Sequence, residues 1–406
     1  MGYKVSDYFA THGGFRSRDI EKAKLYELIV SEKETSRKKL NQRLQLRPNN
    51  VSYAIQQLLD DGLIFEDSSQ KTTGRGRPEV IIKPNPERLV TIVLWVLSNS
   101  LSAALIDMEG NRLWQFEESI ASDADNTQFL NSVIKVVTEL QYCVSKKQTL
   151  IGIGIALPGA ISSNGMKWSF NSRWNRILNL DFSNLAMRFK VPVRLFRLLD
   201  PQLYALGAQN SSIADSSVLF VHWGYGIGAT FSIHGEIPKS STGSITEIGH
   251  VKVDRSENAK QCSCGDKGCL ETVSSVRALK SELERIVGSE ITEDENELGS
   301  ILGNCNLSES EAIKTAIECL TDVLDSTYRI LFSDKIMVYG PFLKNPWVAR
   351  TFSESLRKKI PEFARSSVDI EIMTDNLDSL VATGCTYGFF RAKLQEMLVF
   401  YGSSNY

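Results

Sequence analysis

The residues best suited to chemistry sit in one short stretch. Cys262-Ser263-Cys264-Gly265-Asp266-Lys267-Gly268-Cys269 places three cysteines within eight residues, and His250 lies twelve residues upstream of the first. Three thiolates and one imidazole complete the tetrahedral nitrogen–sulfur set that Zn2+ prefers, and the glycines permit a turn tight enough to aim the sulfurs at one ion. Four protein ligands leave no position for water, so the expected ion is a structural Zn2+, one per chain, rather than a hydrolytic one. The segment Met1-Gly2-Tyr3-Lys4-Val5-Ser6-Asp7 lacks the apolar core of a signal peptide. A cytoplasmic location is therefore expected, where thiols stay reduced and metal is favoured over disulfides. Cys143, Cys305, Cys319 and Cys385 carry no motif and are expected to be small buried hydrophobes. His12, His222 and His234 are expected to be structural or at the surface.

A second group of residues suits recognition of nucleic acid. The 406-residue chain has 46 Lys+Arg against 48 Asp+Glu, 42% hydrophobic residues and 11 prolines. That is ordinary globular composition for two to four domains, and it excludes disorder, collagen-like repeats and a small disulfide scaffold. The formal net charge of -2 hides an asymmetry: residues 1–88 carry 16 Lys+Arg and 12 Asp+Glu (net +4), the remainder 30 and 36 (net -6). Between Thr35 and Leu59, Arg37, Lys38, Lys39, Arg43 and Arg47 meet no acidic residue. A patch, not the average, decides what a surface attracts.

The elements that must position this patch can be read from spacing. Ile20, Leu25, Leu28 and Ile29 mark a helix over residues 19–30, and Ser36 can cap a second carrying Leu40 and Leu44. After the turn Gln45-Leu46-Arg47-Pro48, Val51, Ile55, Leu58 and Leu59 mark a third helix that Pro48 opens and Gly62 stops. Its other face shows Asn49, Asn50, Ser52, Tyr53 and Gln56, amide-rich and suited to adenine edges in a major groove. Arg37, Lys38, Lys39 and Arg47 suit phosphates. Leu63-Ile64-Phe65 and Val80-Ile81-Ile82 read as a strand pair around Gly74-Arg75-Gly76-Arg77-Pro78, a thin cationic tip whose Arg75 and Arg77 suit a narrow minor groove. The expectation is a winged helix-turn-helix DNA-binding domain over residues 1–82 and a linker over 83–88.

From Leu89 onward short apolar runs alternate with helices. Thr91 to Leu97, Ala103 to Asp107, Arg112 to Phe116, a helix near Thr127 to Ser145 and Leu150 to Leu157 form one set. Val193 to Leu198, Val218 to Trp223, Ala229 to Ile233, Lys335 to Tyr339, Val368 to Met373 and a long terminal helix form a similar later set, which suggests two α/β halves with a cleft between them. The charge-free run Leu89 to Ile106 reads as two buried strands around Ser98-Asn99-Ser100, not as a membrane helix.

Glu247-Ile248-Gly249-His250, the cysteine segment and the following Leu270-Glu271 resemble the signature of the ROK family (repressors, open reading frames and sugar kinases). The winged helix with its Gly-Arg-Gly-Arg-Pro tip resembles that family's NagC/Mlc/XylR-type repressors, and the likeness spans essentially the whole chain. The resemblance implies an α/β fold: the winged helix-turn-helix followed by a two-domain actin-like (ribonuclease H-like) sugar-kinase fold. The small domain would cover 89–199 and the large domain 200–406 with the zinc loop, the terminal helix being free to pack back on the small domain.

The family's kinases carry an Asp-x-Gly-Gly-Thr phosphate loop where this chain has Leu97-Ser98-Asn99-Ser100-Leu101, without glycine or carboxylate. Gly224-Tyr225-Gly226-Ile227-Gly228 is a second glycine loop, readable as a phosphate contact or as a tight strand turn. Asp200 matches the kinase base, but Leu199-Asp200-Pro201-Gln202 lacks the flanking asparagines. No enzymatic activity is expected. By the resemblance, Asp200, Glu247, His250 and Glu271 would contact the hydroxyls of a sugar or sugar-phosphate effector. The implied function is a transcriptional regulator, a repressor of carbohydrate uptake or metabolism genes, acting on a double-stranded operator as a dimer or dimer of dimers. An alternative is a vestigial sugar site with control by sequestration on a membrane sugar transporter component; a sugar kinase is third.

Overall fold

In the computed structural model the described residues are 5–67, 80–97, 99–162, 164–171, 173–174, 176–238 and 246–401. The Gly74 to Pro78 tip, and with it Arg75 and Arg77, lies outside them.

The N-terminal part comprises the helices Val5–Thr11, Ser17–Glu32, Arg37–Leu44 and Pro48–Asp60, then the strand Ile64–Asp67 antiparallel to Ile81–Pro84. Local chemistry sets the boundaries. Ser36 Oγ accepts the Lys39 N–H, Gln45 leaves the second of the expected helices in a left-handed conformation, and Pro48 opens the third. Gly62, at a φ of 71°, ends it. Val51, Ala54, Ile55 and Leu58 then pack on Leu25, Tyr26, Ile29 and Leu40. Val5–Thr11 is an additional helix. Seven residues are too few to hold a helix alone, and this one is held by burial of Val5 and Phe9, with Phe9 stacked on Phe15 at 4.2 Å.

Residues 83–88, expected as a linker, form an ordered joint. Lys83 and Pro84 belong to the hairpin, and Pro86–Arg88 is a single 3-10 turn. Arg88 donates to Asp61 O (2.8 Å), Lys147 O (3.1 Å) and Thr149 Oγ1 (2.9 Å), tying the N-terminal part to the body.

The first lobe of the body is a five-stranded sheet in the order Val193–Arg197, Thr149–Leu157, Leu89–Leu97, Ser100–Asp107, Arg112–Ser119. The helix Asn126–Tyr142, capped by Asp125, covers one face through Phe129, Val133 and Val137. The terminal helix covers the other through Val381, Ala382 and Cys385. Sandwiched strands explain the long charge-free run. Among the described residues no helix is long and apolar enough to cross a membrane. Val193–Arg197, grouped by pattern with the later set, pairs in parallel with Thr149–Leu157 and so belongs to the first sheet; alternation reveals a strand but not its partner. The short strands Ala160–Ile161, Lys167–Phe170 and Leu180–Asp181 were not legible as a pattern, and they are fastened by Trp168 and Trp174 against Phe129.

The second lobe has the strand order Ile227–Ser232, Val218–Trp223, Lys335–Tyr339, Asp369–Met373, with helices Glu311–Leu331 and Pro346–Lys359 packed on it. The terminal helix Asp378–Met397 has 20 residues, or about 30 Å at 1.5 Å per residue. A Cβ on Gly384 would stand 1.8 Å from Pro201 O, so glycine is what lets this helix press against Leu199–Gln209. Its far end contributes Phe390, Leu394 and Leu398, followed by Phe400, to the same core as Leu25, Ile55 and Leu58.

Candidate functional site

The cysteine loop is shaped by two glycines with positive φ, Gly265 at 99° and Gly268 at 72°. A Cβ on Gly268 would approach Asp254 O to 1.8 Å, so no other residue fits that turn. Cys262 N–H donates to Asp266 O, Gly265 N–H to Cys262 O, and Lys252 bridges to Cys269. As a result the donor atoms of His250, Cys262, Cys264 and Cys269 all lie within 4.8 Å of one another. Cys264 Sγ and Cys269 Sγ are 3.7 Å apart, and Cys262 Sγ lies 3.5 Å from His250 Nδ1. Two thiolates at about 2.3 Å on a tetrahedral ion stand about 3.8 Å apart, so the residues fit a metal of that kind. Burial raises the Cys262 thiol and pushes Cys269 up to about 12, so a cation must displace protons to enter.

The residues on either side of this loop in sequence, His250 and Glu271, border a cavity of about 450 Å³ between the two lobes. His250, with Nδ1 turned to Cys262, also lines it and meets Phe170 edge-on at 6.2 Å. Glu247 precedes it, after Thr246 at a φ of 59°, and lies 3.7 Å from Arg197. Gly249 is required here, because a Cβ would come within 2.2 Å of Ile227 O. Glu271 starts a short helix two residues after Cys269; its Oε2 accepts the Ile227 N–H at 3.4 Å and Oε1 lies 3.9 Å from Arg277. Three of the expected effector contacts, Glu247, His250 and Glu271, thus share one wall. Asp200 does not line the cavity. It stands behind Leu198, Leu199 and Gln202, which do. Burial raises its pKa against the pull of Arg197 and of the nearby Thr230 hydroxyl.

The second glycine loop is occupied by the protein itself. Tyr225 N–H donates to Glu295 Oε1 at 2.7 Å, and Gly224 N–H to Gly226 O at 3.0 Å. A Cβ on Gly224 would meet both Glu295 oxygens within 2.4 Å, so the glycine makes room for a carboxylate. Glu295 Oε2 is 2.6 Å from His222 Nε2. Burial opposes both charged forms, yet each partner overrides it, raising His222 and lowering Glu295. His222, expected to be structural or at the surface, lines the cleft. Across the mouth, Asn99 and Arg173 of the first lobe hold Glu293 of the second at 2.7 and 3.0 Å. Nothing in local spacing marks Arg197, Arg173 or Glu295 as cleft residues; their partners are remote in sequence.

On the N-terminal part, the residues expected to meet DNA, Lys38, Lys39, Arg47, Asn49, Asn50, Ser52, Tyr53 and Gln56, are exposed along adjoining helices. Two amides are engaged internally: Asn50 donates to Glu21 (3.2 Å) and Gln56 to Asp60 (2.9 Å). Arg37 reaches the hairpin instead, where its Nη2 lies 2.8 Å from Glu66.

The pattern of the ROK family matches residues 98–379. A putative xylose repressor of Caldicellulosiruptor sp. (strain Rt8B.4) is 24% identical over 403 residues, covering 94% of this chain and 97% of that protein. The DNA-binding transcriptional dual regulator NagC of Escherichia coli (strain K12) is 26% identical over 277 residues, 66% of this chain and 65% of that one. A solved ROK family transcriptional regulator, homolog of the E. coli MLC protein, superposes with a TM-score of 0.69 at 20% identity over 93% of this chain and 99% of that one. A ROK family glucokinase from Streptomyces griseus superposes with a TM-score of 0.56 at 16% identity over 73% of this chain and 98% of that one. At such identities the structural likeness speaks for the fold, a ROK body behind a helix-turn-helix. The family pattern spans well over half of the sequence, and the chain belongs to the ROK family.

Proposed function

We propose that this protein is a DNA-binding transcriptional repressor of carbohydrate-uptake or metabolism genes, released from its operator by a sugar bound between the lobes. The relatives named xylose repressor and NagC support the class. One observation carries the mechanism: the helix Asp378–Met397 begins at the cleft, where Asp378 forms part of the wall, and ends in the core beneath the helix Pro48–Asp60. A ligand that moves one lobe against the other therefore acts on the element that seats the reading helix. Such a ligand shifts the equilibrium only by its difference in affinity for the two arrangements, about 5 kcal/mol for a nearly complete switch.

In this reading residues 1–82 bind DNA, 89–199 and 200–406 form the two body domains, and paired half-sites call for a homodimer. His250, Cys262, Cys264 and Cys269 hold a structural Zn2+, which would fix the loop presenting His250 and Glu271 to the ligand. Asp200 lies behind Leu199 and Gln202 and can reach a hydroxyl of the ligand by a hydrogen bond once those two side chains yield. The protein is not a kinase in this reading, because Glu295 occupies the glycine loop that a nucleotide phosphate would need. The test is fluorescence anisotropy on genomic operator candidates with a sugar panel, using wild type and Glu247→Ala. Sugar-induced release in the wild type and its loss in Glu247→Ala, with sugar-free DNA binding retained, is the expected result. Retained induction in the variant would refute the pocket.

A further inference from the structure

We infer that the cleft takes an uncharged sugar and discriminates against the phosphorylated form of the same sugar; this rests on the cleft being the effector site. The ground is the protein's use of its own carboxylates where a phosphate would otherwise lie. Glycine loops bind phosphate because their N–H groups are free and no Cβ blocks close approach. Here close approach serves Glu295, packed over Gly224, and Glu271, whose Oε2 would stand 3.0 Å from a Cβ on Gly226. The N–H groups follow: Tyr225 donates to Glu295, Ile227 to Glu271, and Gly224 to Gly226 O. A phosphate entering this end would have to displace an internal anion from its donor.

The surrounding charges point the same way. Asp294, Asp378 and Glu117 line the cavity with Glu295. The guanidinium groups at the cavity are matched already, Arg173 to Glu293 at 3.0 Å, Arg197 to Glu247 at 3.7 Å and Arg277 to Glu271 at 3.9 Å. Lys344 also lines the cavity, with its stem packed over Gly299, and it is a single ammonium set among several carboxylates. A dianion placed here meets like charge in a partly desolvated cleft and, among the described residues, gains one cation at most, and an uncompensated buried charge is expensive. Neutral hydroxyls have the opposite relationship to this wall. Glu247 and Glu271 on it are acceptors, and each sugar hydroxyl brings a donor. The cavity of about 450 Å³ is large enough for a monosaccharide.

The experiment is isothermal titration calorimetry on the full-length protein with xylose, glucose and N-acetylglucosamine, with glucose 6-phosphate and N-acetylglucosamine 6-phosphate, and with inorganic phosphate alone. At least one neutral sugar should bind, and its phosphate ester should bind at least tenfold more weakly. In Glu295→Gln, which keeps an acceptor for the Tyr225 N–H and removes the charge, the gap should narrow. A phosphate ester that binds as tightly as its parent sugar, whether or not Lys344 holds it, overturns the inference and leaves the effector cleft standing. Binding that is untouched by Glu247→Ala, or no binding by any member of either series, overturns the cleft assignment itself and the inference with it.

Discussion

The ring of Tyr53, on the exposed face of the helix Pro48–Asp60, stacks on Phe400 from far along the chain, with centroids 5.7 Å apart and planes 13° from parallel. The contact belongs to a larger clasp. Lys22, fully buried, donates to Gln57 Oε1 at 3.0 Å and to Met397 O at 2.9 Å. Gln57 donates in turn to Tyr401 O, Arg16 to Phe400 O, and Phe400 N–H to Asp19 Oδ1. The segment after the terminal helix therefore fastens both the supporting helix Ser17–Glu32 and the reading helix.

Phe400→Ala should loosen this clasp. Removing a largely buried aromatic costs about 3 kcal/mol, part of it from the broken ring pair. Urea denaturation should show the loss, and anisotropy should show weaker operator binding at temperatures where the body remains folded. Unchanged DNA affinity in a destabilised protein would show that the clasp supports the fold without setting the reading helix.

The His222–Glu295 pair makes a prediction for pH. His222 is raised in the folded state, so its contribution is fully present below about 6.5, the unfolded value, and is lost as pH rises through the higher folded value. Glu295 is lowered, so its contribution is present above about 4.3 and is lost as pH falls through the lower folded value. Stability measured by urea midpoint should therefore decline on the alkaline side of 6.5, and His222→Gln should flatten that decline. An identical profile in the variant would mean that the pair is not ionised as assigned.

Metal removal is the third test. Elemental analysis should find one zinc per chain, and chelation or Cys264→Ala should lower the thermal midpoint. Structural zinc in small peptides contributes on the order of 10 kcal/mol to their folding, so even a fraction of that is measurable. The same treatment should weaken sugar binding, because His250 is one of the four donors and Glu271 follows the last of them, Cys269, by two residues. Wild-type stability in metal-free protein would remove the structural role.

On the DNA side, phosphate and base recognition separate by salt. Lys38→Ala with Lys39→Ala should reduce the slope of log K against log salt by roughly 0.9 for each phosphate that is no longer neutralised. Asn49→Ala should instead cost about 1 to 3 kcal/mol on the specific operator and leave the slope intact. Arg75→Ala with Arg77→Ala should behave like the lysine pair; an unchanged slope would take the tip out of the interface.

The sequence alone determined what depends on neighbours along the chain. Three cysteines within eight residues and two well-placed glycines define the loop that brings the donor atoms together. The Ser36 cap, Pro48 and the spacing of Val51, Ile55 and Leu58 define the helix Pro48–Asp60 and its exposed amides, because helix boundaries and faces follow from local periodicity. Tertiary structure decided the partnerships: Tyr53 with Phe400, Arg197 with Glu247, His222 with Glu295, and Val193–Arg197 with the first sheet. Alternating hydrophobicity says that a strand or helix has a buried face but not what will cover it, and a lone charge does not name a partner dozens or hundreds of residues away. The placement of Asp200 behind the cavity wall, and of a carboxylate in the second glycine loop, was set by packing between residues remote in sequence and so could be seen only in the folded chain.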